Sequence, residues 1–480
     1  MATATNAALN NEHNRLHQGA LGMVDIAAAT MANIGPAMSF FFGFGFVALT
    51  AGVASPLTLV AAGIAIALLG NTLAQFTRSM PSTGGFISFI GRTFGGRSAV
   101  ATALLTGAGY IVAMSSVIAV SGGFLTITIQ RYFHVHVPWG IPMLVVTALA
   151  VWMMVRGVAI STKLAGLFFA FEMVMLFLVA IVVIAKNAGH LSLAPFNPHN
   201  ITGGMSGLAA GFPLAIYLFI GWENSAALAE ETDDPRRNIP RAIFSSVAIM
   251  VASYLVFAYA TISGFGYDVN KLGASEIPFI DVAQGTLGVL AFFAYLAGLT
   301  STLGCLIAGT NSQARLVFSA GREGLIPRWI GRVHPVRRTP VNAIVVFVGI
   351  ALVTILCWVL WRHHEGLPAD ALVYFGEAST MGTILVLVVY FVANLALPVY
   401  YRRHHPEEFS VVKHLVLPLL GAAAIAVPLY YLSKPGQAAP FNAYPWVAVG
   451  AIVVAVIYAF ILVARDPEVG DRVGSIVADH

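Results

Sequence analysis

The sequence predicts an all-α polytopic membrane protein with twelve transmembrane helices. Hydrophobic residues make up 58% of its 480 residues and charged residues only 10%, and its mean hydropathy is +0.83. Because a soluble domain carries about 25% charged residues, this chain has too few charges for a water-facing surface. Most of its surface must therefore face lipid. The apolar segments are spread evenly, which predicts one membrane domain and not two or three soluble ones.

The twelve predicted spans are apolar runs long enough to cross a bilayer, which takes about 20 mostly apolar residues. Proline, glycine and polar clusters separate these runs from one another. In chain order the runs are 20–49, 53–77, 98–128, 138–155, 163–185, 205–230, 241–264, 287–318, 341–361, 374–398, 411–432 and 444–464.

The distribution of basic residues supports the same count independently. If the N-terminus is cytoplasmic and the loops alternate, 20 of the 25 lysines and arginines fall on the cytoplasmic side. This excess is the positive-inside pattern, which a wrong number of spans would scramble. We therefore expect a multi-pass protein of the cell membrane with both termini cytoplasmic. The basic residues left outside are Arg131, Lys186, Lys271, Arg362 and Lys434.

Spans one and six carry interruptions at corresponding positions. In span one, Pro36 lacks a backbone N–H and follows the flexible Gly35. In span six, Gly221 lies two residues before the charged Glu223. Either feature alone would indicate an ordinary kink or a packing glycine. The matched pair favours an inverted-repeat transporter with its site near the bilayer midplane, because unwound backbone is tolerated only beside protein or a water-filled cavity.

Four acidic residues lie at membrane depth: Asp25, Glu172, Glu223 and Glu377. An ionised acid at a helix centre costs on the order of 2.5–3.5 kcal/mol on insertion scales, so such residues face the interior. Glu223 lies in the break of span six, where it would accept a substrate ammonium or a proton. The alternative is a structural hydrogen bond that holds the unwound segment. Glu377 lies near the outer edge, and we expect it to be solvated.

Glu172 is the preferred proton-coupling residue, with Glu223 as the second candidate. No basic residue lies within a helical turn of Glu172, so burial favours its neutral form, and a carboxyl group poised near neutrality can bind and release a proton in each cycle. The alternative is a neutral acid that fixes helix packing. We expect H+ as the coupling ion and no cofactor. Sodium is the alternative ion, bound by carbonyls near Asn33 and by hydroxyls of span eight, although such hydroxyls commonly join helices.

The expected substrate site combines the ends of the two broken helices. Amides at the start of the second half of span one would meet a carboxylate, and carbonyls at the ends of the first halves would meet an amine. Trp222 is either an aromatic lid or a packing residue. The predicted substrate-binding residues are Asn33, Ile34, Gly35, Ala37, Met38, Ser39, Tyr110, Met114, Phe219, Gly221, Trp222, Glu223 and Ser301.

The cytoplasmic acids Glu230 and Glu231 precede an arginine cluster at Arg236, Arg237 and Arg241. We expect either salt bridges that latch an inner gate or a solvated loop. The predicted gate residues are Asp25, Trp222, Glu230 and Arg236. No metal site is expected, because the histidine pairs His363-His364 and His404-His405 lack a third partner at fixed spacing.

Four motifs resemble the amino acid–polyamine–organocation family of permeases over residues 18 to 400. They are the broken span at 33–37, the loop 80–85 with Phe94-Gly95, the segment 221–243 with Gly221-Trp222-Glu223 and Asp234-Pro235-Arg236, and Asn311-Ser312-Gln313-Ala314-Arg315 followed by 321–327. The resemblance implies the leucine-transporter fold, with spans 1–5 and 6–10 as inverted repeats plus two peripheral helices. It also implies alternating access and the uptake or exchange of amino acids or amines.

The sequence departs from this family at two places. Pro36 removes a backbone donor from the first break, and Glu172 stands where some proton-coupled relatives have a lysine, so a lysine-based coupling mechanism does not carry over. The implied organisation is a cytoplasmic tail at 1–18, a transport core at 19–400, peripheral spans at 401–464 and a second tail at 465–480.

We therefore expect a proton-coupled secondary transporter of an amino acid. The alternative is a permease or antiporter of polyamines or other organic amines. An ion channel would need a filter or pore ring, and an enzyme would need a nucleophile, metal or phosphate site; no such pattern is present in the sequence. The expected partners are the small-molecule substrate and the lipid bilayer, without nucleic acid, in a monomer or homodimer.

Overall fold

The computed structural model describes residue 19 and residues 21–472. The predicted tail at 1–18, with Arg15, and the chain end at 473–480 lie outside the described residues. The described part is helical, and the single β-type contact within it is an isolated parallel bridge between Leu21 and Thr232.

The helices are numbered here in chain order. Up to the second break they are α1 (Met23–Ile34), α2 (Pro36–Ala51), α3 (Ser55–Ser79), α4 (Phe86–Phe94), α5 (Gly96–Phe133), α6 (Gly140–Val155), α7 (Val158–Lys186), α8 (Met205–Tyr217) and α9 (Asn224–Ala227). The others are α10 (Pro235–Gly264), α11 (Val269–Ala274), α12 (Pro278–Leu287), α13 (Phe292–Glu323), α14 (Val341–His364), α15 (Ala371–His404), α16 (Leu417–Ser433), α17 (Tyr444–Arg465) and α18 (Pro467–Arg472). A π-helical turn, Val412–Val416, leads into α16.

Local sequence signals set several helix ends. Asp370 starts α15 by accepting hydrogen bonds from the backbone N–H groups of Leu372 and Val373, at 2.8 and 3.2 Å, which satisfies donors that have no partner inside the helix. Pro235 is the first residue of α10, a position where a missing N–H costs nothing. Gly324 ends α13 in the left-handed conformation, with φ of 86°.

Each of the twelve predicted apolar runs coincides with helix. By length and composition, nine helical segments among the described residues can cross a membrane, and one of them, Met23–Ser79, contains predicted spans one and two. Two shorter apolar helices, Gly140–Val155 and Met205–Tyr217, coincide with predicted spans four and six. The multi-pass helical membrane fold is confirmed, whereas the count of twelve spans stays a prediction.

The helix packing follows the pairing expected of two five-helix repeats. The three most extensive helix interfaces join α5 to α15, α7 to α13, and α3 to α10. In the predicted numbering these are spans 3 and 10, spans 5 and 8, and spans 2 and 7. When each span is exchanged with its counterpart five positions away, the pair of spans 3 and 10 becomes the pair 8 and 5. The pair of spans 2 and 7 stays the same. A two-fold relation between the repeats requires this pattern.

Small residues allow these helices to approach one another closely. A Cβ atom on Gly122 of α5 would lie 2.3 Å from the carbonyl oxygen of Trp139, just before α6, and 2.6 Å from the Cβ of Met143. Close helix contact in membranes depends on such small residues.

We predict that Gly122→Ala lowers the melting temperature of the purified protein, because the added methyl group meets backbone that cannot move away cheaply. The matched control is Gly107→Ala in the same helix, where a Cβ meets nothing within 4 Å. Alanine forms helix better than glycine by roughly 1 kcal/mol, so the control should unfold at an equal or higher temperature. Equal melting temperatures for the two variants would contradict this packing.

Candidate functional site

The first break is a single left-handed residue between α1 and α2. Gly35 has φ of 60°, and its N–H caps α1 by bonding to the carbonyls of Met31 and Ala32 at 3.2 and 3.1 Å. The next residue, Pro36, has no N–H and starts α2. A Cβ on residue 35 would lie 3.1 Å from the Cβ of Cys305. Both the backbone conformation and the close approach of α13 therefore require glycine here.

Side chains satisfy the backbone groups that this break exposes. The Cys305 thiol donates to the Asn33 carbonyl at 3.0 Å, and the Ser39 hydroxyl donates to the Ile34 carbonyl at 2.6 Å. The Met38 N–H donates to the Ser301 hydroxyl at 3.1 Å. Thus α13 contributes a partner to each side of the break.

Two of the amides expected to hold a substrate carboxylate are hydrogen-bonded in this state, and a third faces an acid. The Met38 N–H bonds to Ser301, the Ser39 N–H bonds to the Gly35 carbonyl at 2.8 Å, and the Ala37 N–H faces the carboxyl group of Glu172. A substrate carboxylate would be attracted electrostatically to this helix end. Direct contact with the Met38 or Ser39 N–H would require the existing hydrogen bond of that group to open.

The second break spans six residues, from the end of α8 at Tyr217 to the start of α9. Gly221 has φ of 107°, and its N–H donates to a carboxylate oxygen of Glu223 at 3.1 Å. The Tyr254 hydroxyl, from α10, donates to the Leu218 carbonyl at 2.7 Å. These contacts replace the helical hydrogen bonds that the unwound segment lacks.

The two breaks touch each other. The side-chain amide of Asn33 donates to the Gly221 carbonyl at 3.2 Å. A Cβ on Gly221 would lie 2.7 Å from the Asn33 amide nitrogen, so a glycine is required at this contact. The helix ends predicted from the sequence to form a common site therefore do meet.

Glu223 lies on one side of this contact. Its carboxylate accepts a hydrogen bond from the Tyr110 hydroxyl at 2.8 Å as well as the one from the Gly221 N–H. The side chain is buried. Glu223 thus holds the unwound segment in the observed state, which is the structural alternative considered above, and it also faces a cavity.

Three cavities follow one another along the two broken helices. An outer vestibule of about 450 Å³ opens at the surface, a central cavity of about 40 Å³ lies beside the breaks, and an inner cavity of about 30 Å³ lies beyond them. Tyr217 and Phe375 line both the vestibule and the central cavity, while Asn33 and Gln313 line both the central and the inner cavity. The central cavity is lined by Asn33, Ile34, Met38, Ser39, Ala113, Met114, Val117, Tyr217, Ile220, Gly221, Cys305, Gln313 and Phe375.

Six predicted binding residues line the central cavity, and others lie nearby. Tyr110 and Glu223 line the inner cavity instead, and Ser301 contacts the site through Met38. Gly35, Ala37 and Phe219 are absent from both linings. The predicted residues that line the central cavity are Asn33, Ile34, Met38, Ser39, Met114 and Gly221.

Several lining residues were missed from the sequence. Cys305, Tyr217 and Phe375 look like ordinary apolar residues of their helices, and no sequence signal separates them from lipid-facing neighbours. Gln313 did carry a signal, since it lies in the polar motif Asn311-Ser312-Gln313 within an otherwise apolar span.

Aromatic rings separate the central cavity from the vestibule. The rings of Tyr217 and Phe375 pack edge to face with centroids 5.7 Å apart, and Phe42 packs on Phe375 at 5.8 Å. This closure is thin and apolar.

Ion pairs close the site on the side away from the vestibule. Glu231 and Arg315 pair at 2.6 Å with side chains that are each 1% exposed. Glu230 pairs with Arg322 at 2.8 Å and accepts a hydrogen bond from the Thr83 hydroxyl at 2.7 Å. The acids pair with arginines of α13, so the partners predicted from the sequence, in the cluster at 236–241, are not the ones found in these pairs.

Two further predicted gate residues form hydrogen bonds with backbone groups. Arg236 donates to the Arg78 carbonyl at 3.2 Å, and the Asp25 carboxylate accepts from the Gly22 N–H at 3.0 Å, which caps the start of α1. The chain before α1 also binds the segment after α9, since the Leu21 N–H donates to the Glu231 carbonyl at 3.0 Å.

Trp222 packs against other aromatic side chains in the observed state. Its side chain is fully buried, and its ring packs against Phe86 and Tyr390, with centroids 6.5 and 5.7 Å away. It lines neither the central nor the inner cavity. The position next to Gly221 correctly indicated the break, but the side chain turns away from the space where a substrate would lie.

Glu172 lies near the first break but does not line the central cavity. Its side chain is 1% exposed, and its nearest polar groups are the Ser301 hydroxyl and the Ala37 N–H. Neither of its oxygens makes a hydrogen bond of good geometry with a described group. A buried acid in this position has few means of holding a negative charge.

One expectation about polar residues elsewhere was wrong, and one histidine has neighbours that the sequence did not indicate. Glu377 is not solvated: it is buried, accepts a hydrogen bond from the Trp358 indole at 2.7 Å and lies 3.8 Å from Arg362. His405 has acidic neighbours that the sequence spacing did not indicate, since its ring lies within 4.8 Å of Glu407 and Glu408. Exposed groups of this kind are common without a bound ion.

Comparison with known families identifies one match over nearly the whole chain. A family model described as amino acid permease matches residues 21–473. The chain is 22% identical over 457 residues to the branched-chain amino acid permease of Bacillus subtilis (strain 168), covering 90% of this chain and 91% of the relative. It is 24% identical to the methylthioribose transporter of the same organism, covering 84% and 85%. It is 25% identical to the Asc-type amino acid transporter 1 of Mus musculus, covering 70% and 64%.

Solved structures show the same fold. The manganese transporter of Eremococcus coleocola superposes with a TM-score of 0.55 at 13% sequence identity, covering 92% of this chain and 95% of that one. At this identity the likeness concerns the fold alone.

We predict that Arg315→Ala opens the ion-paired side of the site. Removing one partner of a buried ion pair costs about 3–5 kcal/mol in the state that contains it. Cys305 lines the central cavity and reports access once the exposed Cys357 is replaced by Ser. Labelling of Cys305 by a membrane-impermeant thiol reagent, applied from the face that carries Arg315, should be at least about 10-fold faster.

The matched control is Arg131→Ala, which breaks an exposed ion pair with Asp281, 3.3 Å away; this change should leave labelling from that face unchanged. If Arg315→Ala does not fold, Arg322→Ala tests the same ion-paired side of the site, because Arg322 is less buried than Arg315. Unchanged labelling in both folded variants would show that these ion pairs do not close the path.

Proposed function

Because the chain belongs to the amino acid permease family, we propose that it is a secondary active transporter that imports or exchanges an amino acid by alternating access, driven by protons. Family membership supports a multi-pass membrane protein that carries amino acids and is not an enzyme. The bacterial relatives support a location in the cell membrane. The finer statements, which are the coupling ion, the direction of transport and cytoplasmic termini, are proposals.

The observation that carries the proposal is the contact between the two broken helices beside a closed cavity. Asn33 and Gly221 bring the breaks together, and the cavity between them has an open vestibule on one side and ion pairs on the other. A site with unequal barriers on its two sides is one state of an alternating-access cycle.

Protons are favoured over sodium by the groups around the first break. Among the span-eight hydroxyls expected to bind sodium, Ser301 already accepts a hydrogen bond from the Met38 N–H at 3.1 Å, so one of its lone pairs is not available to an ion in this state. Glu172, in contrast, is a buried acid without a hydrogen bond of good geometry among the described groups. A negative charge on such an acid is costly at membrane depth, so a coupling proton carried there would offset this cost.

Glu223 has a different proposed role. It lies at the inner cavity, where the Tyr110 hydroxyl and the Gly221 N–H share its two oxygens. We assign it to the passage of the substrate amine from the central cavity towards the ion-paired side, where the amine would exchange for the Tyr110 hydroxyl.

The named cargoes of the relatives differ, since they include a branched-chain amino acid permease and a methylthioribose transporter. The basic experiment is therefore counterflow of labelled amino acids into proteoliposomes that contain the purified protein. Saturable counterflow supports a carrier, and its absence for every amino acid would overturn the proposed function. Leakage proportional to concentration would instead indicate a channel.

We predict that Glu172→Gln abolishes the stimulation of uptake by an inward proton gradient but retains counterflow, because exchange needs no net proton movement. The measurement is initial uptake with and without the gradient, in sodium and in choline buffer. Glu377→Gln, which neutralises a buried acid outside the cavities, is the control and should keep the stimulation. A proton response that survives in Glu172→Gln would exclude Glu172, and a sodium requirement would exclude protons.

We predict that Glu223→Gln raises the KM for counterflow by roughly 10-fold or more, the effect of losing a charged hydrogen-bond acceptor. Tyr110→Phe separates the two roles of Glu223. If the carboxylate only holds the unwound segment, both variants should lose thermal stability alike with little change in KM. A KM effect confined to Glu223→Gln supports contact with the substrate.

A further inference from the structure

The central cavity carries no charged side chain. Its polar groups are uncharged and come from Asn33, Ser39, Tyr217, Cys305 and Gln313, and neither an acidic nor a basic residue belongs to its lining. This composition bears on the choice between a cationic amine and a neutral amino acid, which the sequence left open.

The two nearby acids do not change this charge balance. Glu223 belongs to the inner cavity, and we assign it to the α-ammonium group during passage, so it does not serve as counter-ion to a second positive charge in the central cavity. Glu172 does not belong to the lining and faces the Ser301 hydroxyl and the Ala37 N–H. A second positive charge on a substrate would therefore be buried without a counter-ion, which is strongly unfavourable. The same reasoning disfavours an acidic side chain, because the lining contains no lysine or arginine among residues 21–472.

The rest of the wall is apolar and deformable. Met38 and Met114 face the cavity with flexible thioether side chains, and Val117, Ile220 and Phe375 complete this part of the surface. Methionine fills irregular space and adapts to apolar groups of different shape. Such a wall favours an aliphatic side chain over a polar one.

Gln313 offers a hydrogen-bond acceptor that has no use in the observed state. Its side chain is 6% exposed, and its carbonyl oxygen accepts no hydrogen bond from any group in the described chain. It lies where the central and inner cavities meet. An unused buried acceptor is costly unless a ligand or water completes it, and a primary ammonium group is a fitting donor.

We propose that the central cavity takes an α-amino acid with an uncharged aliphatic side chain, whose ammonium group donates to the Gln313 carbonyl oxygen and whose side chain packs on Met38, Met114 and Val117. This inference rests on the proposed transport function and narrows its substrate to one class.

The test is counterflow of individually labelled compounds in proteoliposomes: alanine, valine, leucine, lysine, glutamate and putrescine. Saturable counterflow of one or more of the first three, with lysine, glutamate and putrescine at least about 100-fold weaker, is expected. Counterflow led by lysine, glutamate or putrescine would overturn this inference and leave carrier function intact. No counterflow of any compound would overturn both.

Substitutions at Gln313 and Met114 test the residues named. Gln313→Leu should raise the KM at least about 10-fold, whereas Gln313→Glu, which keeps an acceptor, should bind neutral amino acids more tightly than Gln313→Leu does. Met114→Ala enlarges the cavity, so the KM for leucine should fall relative to the KM for alanine. Met143→Ala, the same truncation of a buried methionine outside the cavity lining, is its control and should keep the wild-type ratio. A KM unchanged in Gln313→Leu, or equal ratios in the two methionine variants, would contradict the assignment.

Discussion

The site depends on one requirement: backbone that leaves a helix within a membrane must find hydrogen-bond partners in the protein. A buried N–H or C=O without a partner costs about 1–3 kcal/mol, and lipid supplies none. Here α13 supplies Cys305 and Ser301 to the first break, and α10 supplies Tyr254 to the second. The contact from Asn33 to Gly221 then joins the breaks. These partners stabilise the unwound backbone at both breaks, and the cavity exists because the helices are interrupted there.

The two closures of the site differ in chemistry, and the difference follows from what each must do. On the vestibule side, Tyr217 and Phe375 make an apolar ring contact that can separate without rearranging charges. On the other side, Glu231 and Arg315 form a fully buried ion pair. Such a pair is specific in geometry and opens only when water reaches both charges. It also ties the segment after the second break to α13, which carries partners for the first break.

The sequence predicted the fold and both breaks because these rest on local signals. A proline after a glycine, and a glycine beside an acid, have consequences that do not depend on distant residues. The arginine partners of Glu230 and Glu231 could not be predicted in this way, since α13 follows them by more than sixty residues and every nearby arginine was an equal candidate. The orientation of Trp222 could not be predicted either. In an unwound segment the side chains follow no helical period, so the sequence does not indicate whether a ring faces a cavity or the packed interior.

Glu172 and the central cavity both lie at the start of α2, and this shared position indicates how a proton and a substrate would be coupled. The start of α2 is the positive end of a helix dipole and attracts negative charge. An ionised Glu172 beside the Ala37 N–H offsets part of that positive end, whereas a neutral Glu172 leaves it available to a substrate carboxylate on the cavity side. If Glu172 carries the coupling proton as proposed, each partner therefore improves the binding of the other, and by linkage the effect is reciprocal. Proton and amino acid would then bind together, which is the condition for symport.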